Sequence, residues 1–104
     1  MEARDIILNL DLHFDHDWDR VYKEITEKTF NVFDPSVMLK NEVKLYALLS
    51  EGYKIVTILD DEYPAYVKQL VRPPFVIYYK CNIEDLELHF KEQVYGAKTG
   101  TFID

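Results

Sequence analysis

Apolar and polar residues alternate where the chain begins. In "DIILNLDLHF", residues 5–14, Ile6, Leu8, Leu10, Leu12 and Phe14 recur at a period of two, with Ile7, Asn9, Asp11 and His13 between them. That alternation predicts a strand with one buried face. A helix begun at Arg4 or Asp5 is the alternative, since Leu and Ile permit both. The period changes in "DHDWDRVYKEITEKTF", where Trp18, Val21, Tyr22 and Ile25 make one helical stripe. Asp15 or Asp17 is placed to cap it, and Lys28 suits its C-terminal end.

"DPSVMLKNEVKLYALLSEGY" carries the clearest helix signals. Asp34 stands at the N-cap, Pro35 at the first helical position, and Gly52 where a left-handed stop belongs. Leu39, Val43, Tyr46 and Leu49 supply its main apolar face. "KIVTIL" then reads as a short strand buried on both faces. "DDEYP" turns the chain, and Pro64 opens a short helix to about Leu70. Pro73 and Pro74 exclude helix, because each fixes φ and lacks an N–H. "FVIYY" is a further strand. Asn82 caps a last helix with Asp85 in its first turn and Ile83, Leu86 and Phe90 inward. "QVYGAKTGTFID" ends the chain as a short strand or loop. The order β-α-α-β-α-β-α-β predicts one small, two-layer α/β domain over residues 1–104.

At 104 residues, 48% of them hydrophobic, the chain can bury a core without staples. The net charge of −7 disfavours phosphate backbones, which are bound by displacing counterions with several Lys or Arg. The acid is concentrated near the N-terminus; residues 53–80 are close to neutral. Cys81 is the single cysteine, so no intrachain disulfide forms. With "MEARDIILNL" lacking the features of a signal peptide, a reducing, cytoplasmic setting is expected. No apolar run is long enough to cross a bilayer.

Four polar features invite chemistry. "HFDHD" offers His13, Asp15, His16 and Asp17 as metal ligands, although a strand exit or helix start attracts the same residues for capping. Asp60, Asp61 and Glu62 resemble an acid–base cluster, but consecutive acids diverge and Asp favours turns. "GAKTGT" fails the phosphate-loop spacing, and no helix follows it to offer amides. Tyr63, Tyr66, Tyr78, Tyr79 and Phe75 could stack on bases beside Lys68, Arg72 and Lys80, whereas strand aromatics ordinarily belong to a core. Three histidines and a lone cysteine assign no catalytic dyad, and Cys81, following an apolar strand, is expected to be buried. No catalytic or cofactor-binding residue is assigned.

"GYKIVTILDDEYPAYVKQLVRPPFVIYYKCN", Gly52 to Asn82, resembles a segment of the DNA processing protein A (DprA) family. The matching residues are Gly52, Ile55, Ile58, Tyr63, Pro64, Leu70, Pro73, Pro74, Val76, Tyr78, Lys80 and Asn82, while Cys81 replaces the family's usual Gly. Gly96, Ala97, Lys98 and Thr101 fall where the family carries Gly-Ser-Arg-x-x-Thr, its first phosphate-loop motif. Lys98 cannot reproduce the planar fork of Arg. The resemblance implies a truncated Rossmann-like fold without the family's DNA pocket or usual dimer surface. The leading expectation is a non-catalytic interaction protein of phage or mobile-element type, modulating DNA processing by binding a basic DNA-handling protein. A homodimer through an exposed sheet edge is a further expectation. The alternatives are an accessory single-stranded DNA-binding protein using Lys68, Arg72, Lys80 and Lys98, and a metal-dependent enzyme using His13, Asp15, His16 and Asp17.

Overall fold

Val76, Ile77, Tyr78 and Tyr79 are all buried, so the strand they form needs apolar cover on both sides. The computed structural model describes residues 2–27, 34–70, 73–92 and 101–103 and shows how that cover is supplied. The strand, β2 (Val76–Tyr79), lies between β1 (Lys54–Thr57) and β3 (Thr101–Ile103). It pairs antiparallel with β1, Val56 opposite Ile77, and parallel with β3, Tyr78 opposite Phe102. Side chains alternate across a strand. Val76 and Tyr78 therefore meet Leu8 and Leu12 on one face, and Ile77 and Tyr79 meet Val67, Leu86 and Phe90 on the other. The first set comes from α1 (Ala3–His13), the second from α4 (Ala65–Lys68) and α5 (Ile83–Glu92). Helices on both faces make three layers, where two were expected.

The first element is a helix and corrects the strand predicted for "DIILNLDLHF". Its period-two pattern is two helical stripes interleaved. Leu8 and Leu12, four residues apart, face the sheet. Leu10, with Ile6 and Phe14 four residues either side, packs on Val21 and Ile25 of α2 (Trp18–Glu27). A helix wedged between two partners buries both stripes, and stripes offset by two residues imitate strand alternation. The order is thus α-α-α-β-α-β-α-β.

Two of the predicted caps, Asp17 and Asp34, form. Asp17 accepts hydrogen bonds from the amides of Asp19 and Arg20 at the start of α2. Asp34 accepts from the amide of Ser36 at the start of α3 (Pro35–Ser50), and Gly52 follows that helix with φ +95°. In the acidic turn, Asp60 Oδ2 accepts from the Thr57 amide at 2.8 Å, and the carboxylate also holds Arg4 Nε of α1 at 2.9 Å. Asp60 is turn scaffolding, as its position suggested. The proline pair serves as an anchor: Tyr22 and Tyr63 donate their hydroxyls to the carbonyls of Pro73 and Pro74. β1 departs from expectation because it is an edge; Lys54 is exposed and only Val56 and Thr57 are buried.

The predicted apolar face of α3 is reversed. Leu39, Val43, Tyr46 and Leu49 are 63%, 66%, 74% and 51% exposed. Asn41 is buried instead, and Leu45 and Leu48 pack toward the core. Both sets recur at helical spacing, so periodicity does not choose between them.

Candidate functional site

Past His13 the chain reverses through Asp15 and His16, both in the left-handed region with φ 52° and 66°. Neither residue is glycine, so the turn carries backbone strain that its surroundings must hold. Asp11 holds it. Its carbonyl accepts from the His16 amide at 2.8 Å, and its Oδ2 lies 2.5 Å from His16 Nδ1. The same oxygen accepts from the Tyr78 hydroxyl at 2.7 Å. The carboxylate acts as acceptor to both, so His16 carries its proton on Nδ1 toward Asp11. The His16 ring stands edge-on to Tyr78 and Phe102, which stack on each other. Burial, followed by the neighbouring Asp11, raises the Tyr78 pKa far above the ordinary phenol value. This triad, with Asp11 and Tyr78 buried and His16 partly so, ties the end of α1 to the central strand.

The four candidate metal ligands are directed apart. His16 points at Asp11 and Tyr78. His13 stands edge-on to Phe14, and burial, then Lys44, lowers its pKa. Asp15 accepts from Lys44 Nζ at 3.2 Å, and Asp17 caps α2. Among the described residues, no group of three or more His, Cys, Asp or Glu is placed to hold a metal ion.

Of the basic candidates, Lys68 is exposed at the end of α4, and Lys80 holds its ammonium 4.4 Å from the centre of the Tyr53 ring. Arg72 and Lys98 lie outside the described residues, as does "GAKTGT" apart from Thr101. Tyr63, Tyr78 and Tyr79 are core residues. Cys81 is half-buried, with its pKa raised by burial. No helix among the described residues is long and apolar enough to cross a membrane.

Among the described residues, four of the seven exposed large hydrophobics lie on the outer face of α3. Leu39, Val43, Tyr46 and Leu49 together expose on the order of 500 Å², near the upper range for the largest patch on a monomer. Beside it, a cleft of about 250 Å³ opens between α1 and α3. Leu8, Leu12, Met38 and Leu45 form its apolar walls, and Asp5, Asn9, Asn41 and Glu42 its polar lining.

The amide orientations there follow from the hydrogen bonds. Asn9 Nδ2 donates to the Asp5 carbonyl at 2.8 Å, so Asn9 Oδ1 is left as an acceptor. Asn41 Nδ2 donates to that oxygen at 3.0 Å and to the Asn9 carbonyl at 3.1 Å. Asn41 Oδ1, buried, meets no donor. Such an orphan acceptor costs about 1–3 kcal/mol unless something supplies the proton.

Sequence reasoning missed Asp11, Asn41 and Arg4. A polar residue flanked by Leu10 and Leu12 was the available signal for Asp11. For Asn41 it was the second stripe of Met38, Asn41, Leu45 and Leu48.

No protein-family model matches this chain, no curated protein matches it, and no solved structure matches it.

Proposed function

We propose that this chain is a non-catalytic interaction protein that binds a protein partner along the outer face of α3. The observation that carries the reading is which stripe of α3 faces inward. A monomer acting alone would be more stable with the wholly apolar stripe of Leu39, Val43, Tyr46 and Leu49 inside. The stripe containing Asn41 is buried in its place. Large apolar side chains left in water forgo about 1.5–3 kcal/mol each relative to full burial. A second surface that covers them recovers that energy.

Kinship with a fragment of the DNA processing protein A family belongs to the same proposal, and with it a basic DNA-handling protein as the partner. It is supported by the sequence of the Gly52–Asn82 segment. The parallel pair β2 and β3, separated in sequence by α5, is also the kind of unit with which a Rossmann-like sheet begins. The net charge of −7 favours encounter with a basic surface.

The test is affinity capture from a cognate lysate with the wild-type chain and with Val43→Asp/Tyr46→Asp. Far-ultraviolet circular dichroism checks that the variant is folded. A specific DNA-handling partner held by the wild type and lost from the folded variant is the expected result. Equal capture by both would remove α3 as the docking face.

A further inference from the structure

Acceptors dominate the polar lining of the α1–α3 cleft. Both amide protons of Asn41 and one of Asn9 are engaged within the protein, on Asn9 and on the Asp5 carbonyl. Beside the second Asn9 amide proton, what remains is the carboxylates of Asp5 and Glu42 and the donorless, buried Oδ1 of Asn41. A lining dominated by acceptors, two of them carboxylates, favours a ligand with several N–H donors, positive charge and no acceptor. An alkylammonium has three such donors and no acceptor. The walls formed by Leu8, Met38 and Leu45 suit its methylene stem, because long cationic side chains bury their stems along apolar surface.

The cleft also adjoins the exposed stripe. Met38 and Glu42 line it, and each precedes in sequence a residue of the stripe, Leu39 and Val43. A segment lying along α3 therefore passes its mouth.

We propose that the cleft between α1 and α3 receives the side chain of a lysine carried by the partner segment that docks on α3. This rests on the docking reading above and adds the partner's chemistry: an amphipathic segment with an apolar face and a lysine beside it. The apolar face covers Leu39, Val43, Tyr46 and Leu49. The lysine ammonium supplies the missing donor to Asn41 Oδ1 and pairs with Asp5 and Glu42, which places the basic residue at one defined position along the stripe.

The side-chain analogue n-butylammonium tests the cleft without any partner. Its chloride is titrated at constant ionic strength into isotope-labelled protein, following the side-chain amide resonances of Asn9 and Asn41 by NMR, with n-butanol as the uncharged analogue. The expected result is a saturable shift of the Asn41 and Asn9 signals, with a dissociation constant on the order of ten millimolar. Butanol should bind at least tenfold more weakly. Glu42→Gln combined with Asp5→Asn, conservative changes at solvent-accessible positions, should weaken the ammonium at least fivefold. Asn41→Leu, checked for folding, should also weaken it.

Three outcomes overturn the proposal: equal binding of butanol, shifts spread over all surface acids, or unmoved Asn41 signals in a cleft that holds only water. Val43→Ser/Tyr46→Ser should leave butylammonium binding intact. Failure of the docking reading therefore shows as equal capture by wild type and Val43→Asp/Tyr46→Asp with the titration intact, and failure of the cleft as an absent titration with capture still lost from that variant.

Discussion

Replacing Tyr78 by Phe removes one oxygen and leaves the ring. Tyr78 is fully buried, its hydroxyl donates at 2.7 Å to Asp11 Oδ2, and Asp11 is itself 1% exposed. Water cannot substitute for the lost donor. A hydrogen bond to a charged group contributes about 1.5–3 kcal/mol, and removing it from a buried carboxylate lies at the upper end of that range. With a urea slope of about 1–1.5 kcal/mol/M for a chain of this size, the midpoint should fall by about 2–3 M. The thermal midpoint should fall by about 4–8 °C for each kcal/mol lost. The exposed Tyr46→Phe serves as the reference, with an effect below about 0.5 kcal/mol. His16 shares the same carboxylate oxygen. The double variant Tyr78→Phe/His16→Ala should therefore depart from additivity by about 0.5 kcal/mol or more. A midpoint shift for Tyr78→Phe no larger than that of Tyr46→Phe, at unchanged slope, would refute the account of Asp11 as a buried charge held by two partners.

Two further outcomes are expected. Burial raises the pKa of both Tyr63 and Tyr78 far above the ordinary phenol value, with Tyr22 adding to the first and Asp11 to the second. The unfolded chain ionises these tyrosines near pH 10 while the folded chain does not. Their contribution is therefore complete below pH 10 and falls by about 1.4 kcal/mol per pH unit for each tyrosine above it. An absorbance titration should show two of the eight tyrosines ionising only on unfolding. For Asp60, burial acts to raise the pKa but is outweighed by the hydrogen bond from the Thr57 amide and by Arg4, so the pKa is lowered. Its stabilisation is present above the unfolded carboxyl pKa and lost as pH falls through the folded one. Asp60→Asn should accordingly cost about 0.5–1 kcal/mol at pH 7 by urea denaturation, with the gap closing below about pH 4.

The second half of the chain was legible because local chemistry and tertiary structure agree there. Gly52 takes the left-handed φ its position requires, Pro64 opens α4, and "FVIYY" forms a strand buried on both faces. Tyr63 and the proline pair illustrate what remained hidden. Their residue types mark a turn and a break, but the hydroxyl bonds from Tyr22 and Tyr63 that fasten the proline carbonyls span 51 and 11 positions. The first half misled for a definite reason. Alternation at Leu8, Leu10 and Leu12 is equally the signature of one strand face and of two helix stripes offset by two residues. Only the presence of α2 and β2 on different sides of α1 decides between them. The candidate metal residues were misleading in the same way. Adjacency in "HFDHD" brought together residues that a left-handed turn then points in different directions.

The same tertiary context explains why α3 presents its outer face in a fixed orientation. Its attachment to α1 combines a few apolar contacts with directional ones. Lys44 Nζ donates to the Leu12 carbonyl at 2.9 Å near the helix end, beside the longer bond that carbonyl accepts from the Asp15 amide, and also reaches the Asp15 carboxylate. Asn41 bonds to Asn9 one turn earlier in α3. Apolar packing alone would tolerate rotation of α3 about its axis, because either stripe could face the core. The Asn41 and Lys44 bonds tolerate little, since each needs a particular acceptor on α1. Polar groups thus specify which side of α3 is inside, at a cost visible in the orphan Asn41 Oδ1. The side they turn outward is the one made of Leu39, Val43, Tyr46 and Leu49. The same bonds bring Asn41 into the wall of the cleft that adjoins it. The proposed docking face and the proposed lysine subsite both follow from a single choice of helix rotation.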